Sequence, residues 1–277
     1  MELTLEQPAP SAEAKSIRAA GDKAVLCMDL FHVTIGNCTL YNSDCLDVLP
    51  KISGVQLTVT SPPYNQKLDQ IKASGFKKEG NAQWANRISS SYADSMDETE
   101  YQDWQVCVLN AIHGASTDDA SCFYNHKCRW RDKVLLHPID TVRRSVWQLR
   151  QEIIWARDGS LTQNAKMFPP SEERIYWLKK NDWRWNDDAN RWMSVWRLDS
   201  SKMTDHPVAY PVEIPQRAIM ATTAEGETVL DPFMGSGTTG IACMKTNRKF
   251  VGIEKDPKHF ATAVSRLERE ANQGVLL

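Results

Sequence analysis

A doubly wound, mostly parallel α/β sheet is the fold class this sequence predicts, and three observations predict it. The last third runs strand, glycine turn, helix, strand over residues 227–230, 235–245 and 249–253, the crossover that parallel neighbours require. The run Val55-Gln56-Leu57-Thr58-Val59-Thr60 is β-branched and bounded by Gly54 and Pro62, as a buried strand is. With 277 residues, 42% of them hydrophobic, the chain can bury the core of one such domain with a modest insertion.

The remaining elements follow in order. Residues 1–32, with Pro8 and Pro10, read as an N-terminal tail, and 33–277 as one domain. Residues 33–41 form a strand pair turning at Gly36-Asn37. Residues 45–52 form a short helix with Ser43 or Asp44 as its N-cap. Residues 65–91 carry Lys, Ser, Gly and Asn without apolar periodicity and read as a long mobile loop. A helix is expected over 98–112, with Trp104, Val108 and Ile112 on one face. Strands are expected over 147–155 and 173–178, and helices over 215–222 and 259–272.

Composition excludes several classes. No apolar run reaches the roughly 18 residues a membrane span needs, and the mean hydropathy is −0.48. The start, Met1-Glu2-Leu3-Thr4-Leu5-Glu6, lacks the basic-then-apolar plan of a signal peptide. The seven cysteines contain no C-x-x-C, which points to reduced thiols in a cytoplasmic protein and to no metal site. The net charge is −2, yet residues 127–202 hold 16 lysines and arginines against 10 acids, and eight of the ten tryptophans. Cations interleaved with aromatics suit phosphate contact and base stacking; a core of tryptophans under a solvated charged face has the same composition.

Gly235-Ser236-Gly237-Thr238-Thr239-Gly240 fits G-x-G-x-x-G between a strand and a helix. Glycines admit a ligand close to the backbone, and the free amides of the helix start face it. Glu254, at the end of the next strand, can accept from ribose hydroxyls. No lysine follows Gly237 as a P-loop requires. A nicotinamide dinucleotide fits the glycines, but only 37 residues follow Gly240, whereas that fold starts with its fingerprint. The preceding Asp231-Pro232-Phe233-Met234 favours a ligand with an ammonium, as in adenosylmethionine.

Ser61-Pro62-Pro63-Tyr64 follows the buried strand directly. The prolines stiffen the turn and carry no N–H, so carbonyls of Ser61 and the prolines can accept from a ligand. Tyr64 adds an aromatic plane. Gripping an exocyclic amine of a base needs such parts, and that base must leave the helix stack.

The two motifs together, Thr60-Ser61-Pro62-Pro63-Tyr64 and then Asp231-Pro232-Phe233-Met234-Gly235-Ser236-Gly237-Thr238-Thr239, resemble the amino-group (N4-cytosine/N6-adenine) DNA methyltransferases. The order, catalytic motif first, resembles their circularly permuted β group. Three shorter segments resemble the family too: Tyr41 to Leu46, Asp205-His206-Pro207, and Val251 to Glu254.

The resemblance implies a Rossmann-like methyltransferase fold, S-adenosylmethionine as cofactor and double-stranded DNA as partner, with a homodimer open. It implies that Ser61 and the Pro62 carbonyl hold the target amine within the turn Ser61, Pro62, Pro63, Tyr64, while Tyr64 stacks on the flipped base. It places Asp231, Pro232, Phe233, Gly235, Ser236, Gly237 and Thr238 around the methionine end, with His206 and Pro207 completing that pocket. Glu254 falls on the ribose and Asp44 near the adenine. The family uses Ser-Pro-Pro-Tyr mainly for cytosine and Asp-Pro-Pro-Tyr mainly for adenine, so Ser61 implies N4-cytosine, with N6-adenine as the alternative. Target recognition is expected in a small insertion over 159–201, with Trp183, Arg184, Trp185, Arg191 and Trp192 on DNA. A silent nucleic-acid-binding protein and an RNA or protein-amide methyltransferase are the other classes weighed. Both motifs are intact, against the first, and the motif order opposes the protein-amide enzymes.

Overall fold

The computed structural model of the chain describes residues 31–65, 96–157, 166–198 and 210–274. Most of the N-terminal tail, nearly all of the loop 65–91, and His206 and Pro207 lie outside these residues. Strands β1 (His32–Ile35) and β2 (Cys38–Tyr41) pair antiparallel across Gly36-Asn37. Helix α1 (Cys45–Val48) is capped by Asp44, whose carboxylate accepts the Leu46 N–H at 3.0 Å, and a 3-10 turn (Leu49–Lys51) extends it. Strand β3 (Val55–Thr60) has the predicted bounds. Helix α2 (Glu98–Ala115) starts where expected, with Asp97 accepting from the Thr99 N–H at 2.9 Å, and runs three residues longer than predicted.

Next comes a strand the sequence reading does not contain. β4 (Ser116–His126) follows α2 directly and sits buried in mid-sheet from Ala120 onward. Its sequence, Ser-Thr-Asp-Asp-Ala-Ser-Cys-Phe-Tyr-Asn-His, is poor in β-branched residues, so pattern alone does not reveal it. A hairpin, β5 (Arg129–Arg131) and β6 (Val134–Leu136), and helix α3 (Ile139–Arg144) follow. Strands β7 (Gln148–Ala156), β8 (Glu172–Lys179) and β9 (Val195–Arg197) come next, and then helix α4 (Glu213–Thr222). The last third holds β10 (Thr228–Asp231), α5 (Thr238–Lys245), β11 (Lys249–Ile253) and α6 (Pro257–Gly274). Helix α5 opens at Thr238, three residues later than predicted, because Gly237 at φ +81° is its cap.

Among the described residues, nine strands form one mixed sheet in the order β1-β2-β11-β10-β3-β4-β8-β7-β9. The five from β2 to β4 are parallel; β8 runs against β4 and β7 against β8. Strand β10, tenth in the chain, lies centrally between β11 and β3, so the catalytic half of the sheet is threaded before the cofactor half. Alternation along the strands serves two cores. Val108, Leu109 and Ile112 of α2 cover one face with Cys122, Tyr124 and Tyr176. Residues of α4, α5 and α6, among them Ile214, Ile241 and Leu267, cover the other with Val59, Phe123 and Phe250.

Residues 159–201, expected as a recognition insertion, contribute β8 and β9 to this sheet, with Ile175, Tyr176 and Leu178 fully buried. Packing of the glycine-turn segment on β11 is tight. A Cβ at Gly252 would lie 2.4 Å from the Met234 sulfur and 2.7 Å from the Phe250 ring. Gly252→Ala is therefore expected to lower the unfolding free energy by about 1–3 kcal/mol through overpacking, read as a shift in the urea midpoint without a change in slope.

Candidate active site

The C-terminal ends of the parallel strands gather the site, as open α/β sheets do. Thr60 ends β3 and Asp231 ends β10, and the Thr60 hydroxyl donates to Asp231 Oδ1 at 2.9 Å. One residue past this bond, each strand enters its motif: Ser61 on one side, Pro232 on the other. The two motifs that sequence order separates by 170 positions are thus joined at their roots.

Ser61 Oγ lies 2.6 Å from the Tyr64 hydroxyl, which donates to Glu173 Oε2 at 3.0 Å. Because the single phenolic proton goes to Glu173, the Ser61 hydroxyl donates to the tyrosine oxygen. Asn125 Nδ2 braces the arrangement, at 2.8 Å from Glu173 Oε2 and 2.9 Å from the Tyr64 oxygen. Arg157 pairs with the other Glu173 oxygen at 3.1 Å. Burial, with the Glu173 charge adding to it, holds the Tyr64 phenol well above its usual range, so it stays protonated. The proton chain Ser61 to Tyr64 to Glu173 leaves lone pairs of Ser61 as acceptors. The Tyr64 ring stands 4.6 Å from the His126 ring, with the Lys127 ammonium 5.3 Å from its centroid.

The proline carbonyls divide. That of Pro63, expected among the ligand-facing acceptors, is taken by the Tyr101 hydroxyl at 2.6 Å, with Gln105 Nε2 at 3.4 Å. Among the described residues no donor sits on the Pro62 carbonyl. His126 Nε2 lies 2.7 Å from the Tyr101 oxygen, and Nδ1 lies 2.8 Å from the Lys127 carbonyl. Burial, aided by Arg129, pushes His126 down to about 3, so its imidazole is neutral and positions Tyr101 rather than accepting a substrate proton.

On the cofactor side, the Asp231 carboxylate is 1% exposed and accepts from Thr60, the Phe233 N–H, Tyr210 and Thr239, at 2.7–3.1 Å. All four donors are neutral, and burial raises Asp231 to about 6 against their pull. A buried anion with no cationic partner among the described residues fits a ligand that brings a positive charge. Glu254 Oε2 accepts the Gly235 N–H at 3.0 Å, and Oε1 that of Asp256 at 2.8 Å. A Cβ at Gly235, where φ is +51°, would meet only the Phe233 carbonyl at 4.0 Å, so this glycine faces open space. Gly237 packs on Ala263, and a Cβ at Gly240 would lie 2.9 Å from Leu267 and Phe250; Gly240 serves helix packing. Arg266 donates to Ser236 and reaches Thr238 Oγ1 at 3.4 Å, fixing the helix start. Phe233 is half-buried against Trp104, ring centroids 5.6 Å apart, and Pro232 is buried. Asp44 pairs with Lys255 at 3.0 Å, which binds the end of β2 to the residue after Glu254. A buried anion, an open glycine and a carboxylate at the next strand end together fit S-adenosylmethionine.

The residues expected on DNA are not beside this cleft. Arg184 pairs with Glu227 at 2.8 Å, just before β10 begins, and thus at the opposite end of the parallel strands from the cleft. Trp183 and Trp185 pack on the buried Trp177, with centroids 5.2 and 5.1 Å away. Arg191 lies over Trp192 at 4.7 Å, and Arg217 of α4 holds the same ring at 5.6 Å. The basic, aromatic composition is largely cation–π packing over the core. Residues the sequence reading misses are Asn125, Glu173, Tyr101, Gln105 and Tyr210. Apart from half-buried Tyr210, each is a polar group buried within or beside an apolar element, which no spacing announces.

Comparison with known proteins agrees with this geometry. The family model described as DNA methylase, of the N6/N4 methyltransferases, matches residues 55–265. The chain is 26% identical to the type II methyltransferase M.Cfr9I of Citrobacter freundii, over 85% of this chain and 89% of that one. It is 32% identical to M.XycI of Xanthomonas campestris pv. cyanopsidis, over 44% and 45%. Among solved structures it superposes on the cytosine-N4-specific PvuII DNA methyltransferase with a TM-score of 0.66, at 18% identity over 87% of this chain and 93% of that one. The chain belongs to the N6/N4 family of DNA methylases: it is an S-adenosylmethionine-dependent DNA methyltransferase acting on cytosine N4 or adenine N6.

Proposed function

We propose that this enzyme methylates the N4 amine of cytosine flipped out of double-stranded DNA. What supports the reading is the serine of the Ser61-Pro62-Pro63-Tyr64 turn, where the family's adenine enzymes mainly carry aspartate; by donating to Tyr64 its hydroxyl keeps lone-pair capacity for an exocyclic amine. S-adenosylmethionine, when bound, supplies a methyl activated by its sulfonium. The protein's own part is positioning. Ser61 and the Pro62 carbonyl accept the two amine hydrogens, which draws the nitrogen lone pair out of the ring and aims it. Tyr64 lies at the base plane once Lys127 swings from its ring. Asp231, Phe233 and the glycine turn hold the methionine end, Glu254 the ribose and Asp44 the adenine side. Ser61 is no base, so the amine proton leaves to solvent after transfer.

The relatives are type II methyltransferases, so a partner restriction endonuclease with the same target fits this chain. The test is nucleoside mass spectrometry of plasmid propagated with the gene in a methylation-free host. N4-methylcytosine above background supports the proposal; N6-methyladenine in its place assigns the enzyme to adenine.

A further inference from the structure

The hairpin β5–β6 stands at the rim of the catalytic turn, and no step above uses it. Its root is fixed to that turn. Arg129 binds both oxygens of Glu98, at 2.7 and 2.8 Å, and its guanidinium lies 4.7 Å from the Tyr101 ring, whose hydroxyl holds the Pro63 carbonyl. Lys127, just before the hairpin, lies over the Tyr64 ring.

The tip has another character. Asp132 and Lys133 both take positive φ, +51° and +67°, which makes a tight two-residue turn of the kind that matches strand twist. Beyond it Val134 is 63% and Leu135 48% exposed. At this end two cations, Arg131 and Lys133, stand against one anion, Asp132, while Arg129 is already paired with Glu98 at the root. A folded protein that leaves adjacent aliphatics exposed on a basic, narrow projection is not completing its core with them.

The established substrate supplies the partner. A base inside a duplex must be extracted before its amine reaches Ser61, and the base stack must open to release it. Proteins that open base steps use apolar side chains as wedges, carried by elements that also grip phosphates, and a two-stranded ribbon fits a groove. We propose that the β5–β6 hairpin is a groove finger for duplex DNA: Arg131 and Lys133 contact phosphates flanking the target, and Val134 and Leu135 enter the stack beside the flipped base. This rests on the DNA methyltransferase assignment.

The experiment maps the methylated position by sequencing plasmid treated with the wild-type chain, then builds two duplexes around it. One is fully paired; the other has an abasic site opposite the target base, so that extraction needs no wedge. The test variant carries Val134→Ala and Leu135→Ala. The control carries Asp132→Asn, which keeps the positive-φ turn, the wedge and both phosphate contacts. Equal Tm and equal S-adenosylmethionine affinity by dialysis establish that both variants fold.

The expected result is a fall of about tenfold or more in kcat/KM for the test variant on the paired duplex, with recovery to within about twofold of wild type on the abasic duplex. The control variant stays within about twofold of wild type on both duplexes. A test variant that methylates the paired duplex as wild type does, or that loses the same factor on both duplexes, overturns the proposal. A wild-type chain that labels no DNA at all removes the assignment itself, a failure distinct from the first two.

Discussion

Ser61→Ala is expected to lower kcat for methyl transfer by about ten- to hundredfold while leaving S-adenosylmethionine affinity unchanged. The magnitude follows from the charge on the amine. As the nitrogen gains its methyl it becomes cationic, and a hydrogen bond to a charged group contributes roughly 1.5–3 kcal/mol, against about 1 kcal/mol for a neutral one. Because that bond strengthens as charge develops, its loss falls on kcat more than on KM. The cofactor pocket is spared: Ser61 bonds Tyr64 and Asn125, whereas Thr60 makes the link to Asp231. Steady-state tritium transfer to DNA measures the first quantity and equilibrium dialysis the second. An unchanged kcat would show that the hydroxyl does not face the amine.

Asp231→Asn is expected to stabilise the cofactor-free protein while weakening cofactor binding by about tenfold or more, as removal of a desolvated charge partner does. The carboxyl of Asp231 ionises at about 6 in the fold, against 3.8 when unfolded. A folded value above the unfolded one means that the folded state holds the proton more tightly. This group's stability contribution is therefore complete below pH 3.8 and is lost as pH rises through 6. At pH 8 ionised Asp231 works against folding by roughly 3 kcal/mol in order of magnitude. The amide removes that cost, since Thr239 and Tyr210 can each accept from its nitrogen; a gain of about 1–3 kcal/mol is expected in urea unfolding at pH 8. Cofactor affinity moves the other way. A positively charged ligand favours the carboxylate, so wild-type affinity declines as pH falls below 6, and the variant shows no such decline. A variant that loses stability at pH 8 while keeping its affinity would contradict this account of the pocket.

The parts of the fold that the sequence announces are those whose chemistry is local. Val55 to Thr60 is an apolar run bounded by Gly54 and Pro62, and both its bounds are found in the structure. The βαβ unit at the end is punctuated by glycines whose positive φ the backbone requires. What stays hidden depends on distant partners. β4 mixes Ser, Asp, Asn and His with a short apolar stretch, Cys122 to Tyr124, and becomes a strand because β3 and β8 flank it. Glu173 looks like a surface charge beside Glu172 and Arg174, yet it is 7% exposed and terminates the proton chain from Ser61. The β5–β6 turn uses Asp132-Lys133 where Asn-Gly would have signalled a hairpin. Arginine and tryptophan between 183 and 192 have the composition of a nucleic-acid surface, but composition does not distinguish base stacking from packing on Trp177.

The most direct test is to incubate the purified protein with tritiated S-adenosylmethionine and unmethylated DNA, then digest the DNA and separate its nucleosides. The account predicts label co-eluting with N4-methyl-2′-deoxycytidine, because the Ser61 turn grips an exocyclic amine. Label in N6-methyladenine or 5-methylcytosine, or DNA left unlabelled by a protein that still binds the cofactor, would contradict it.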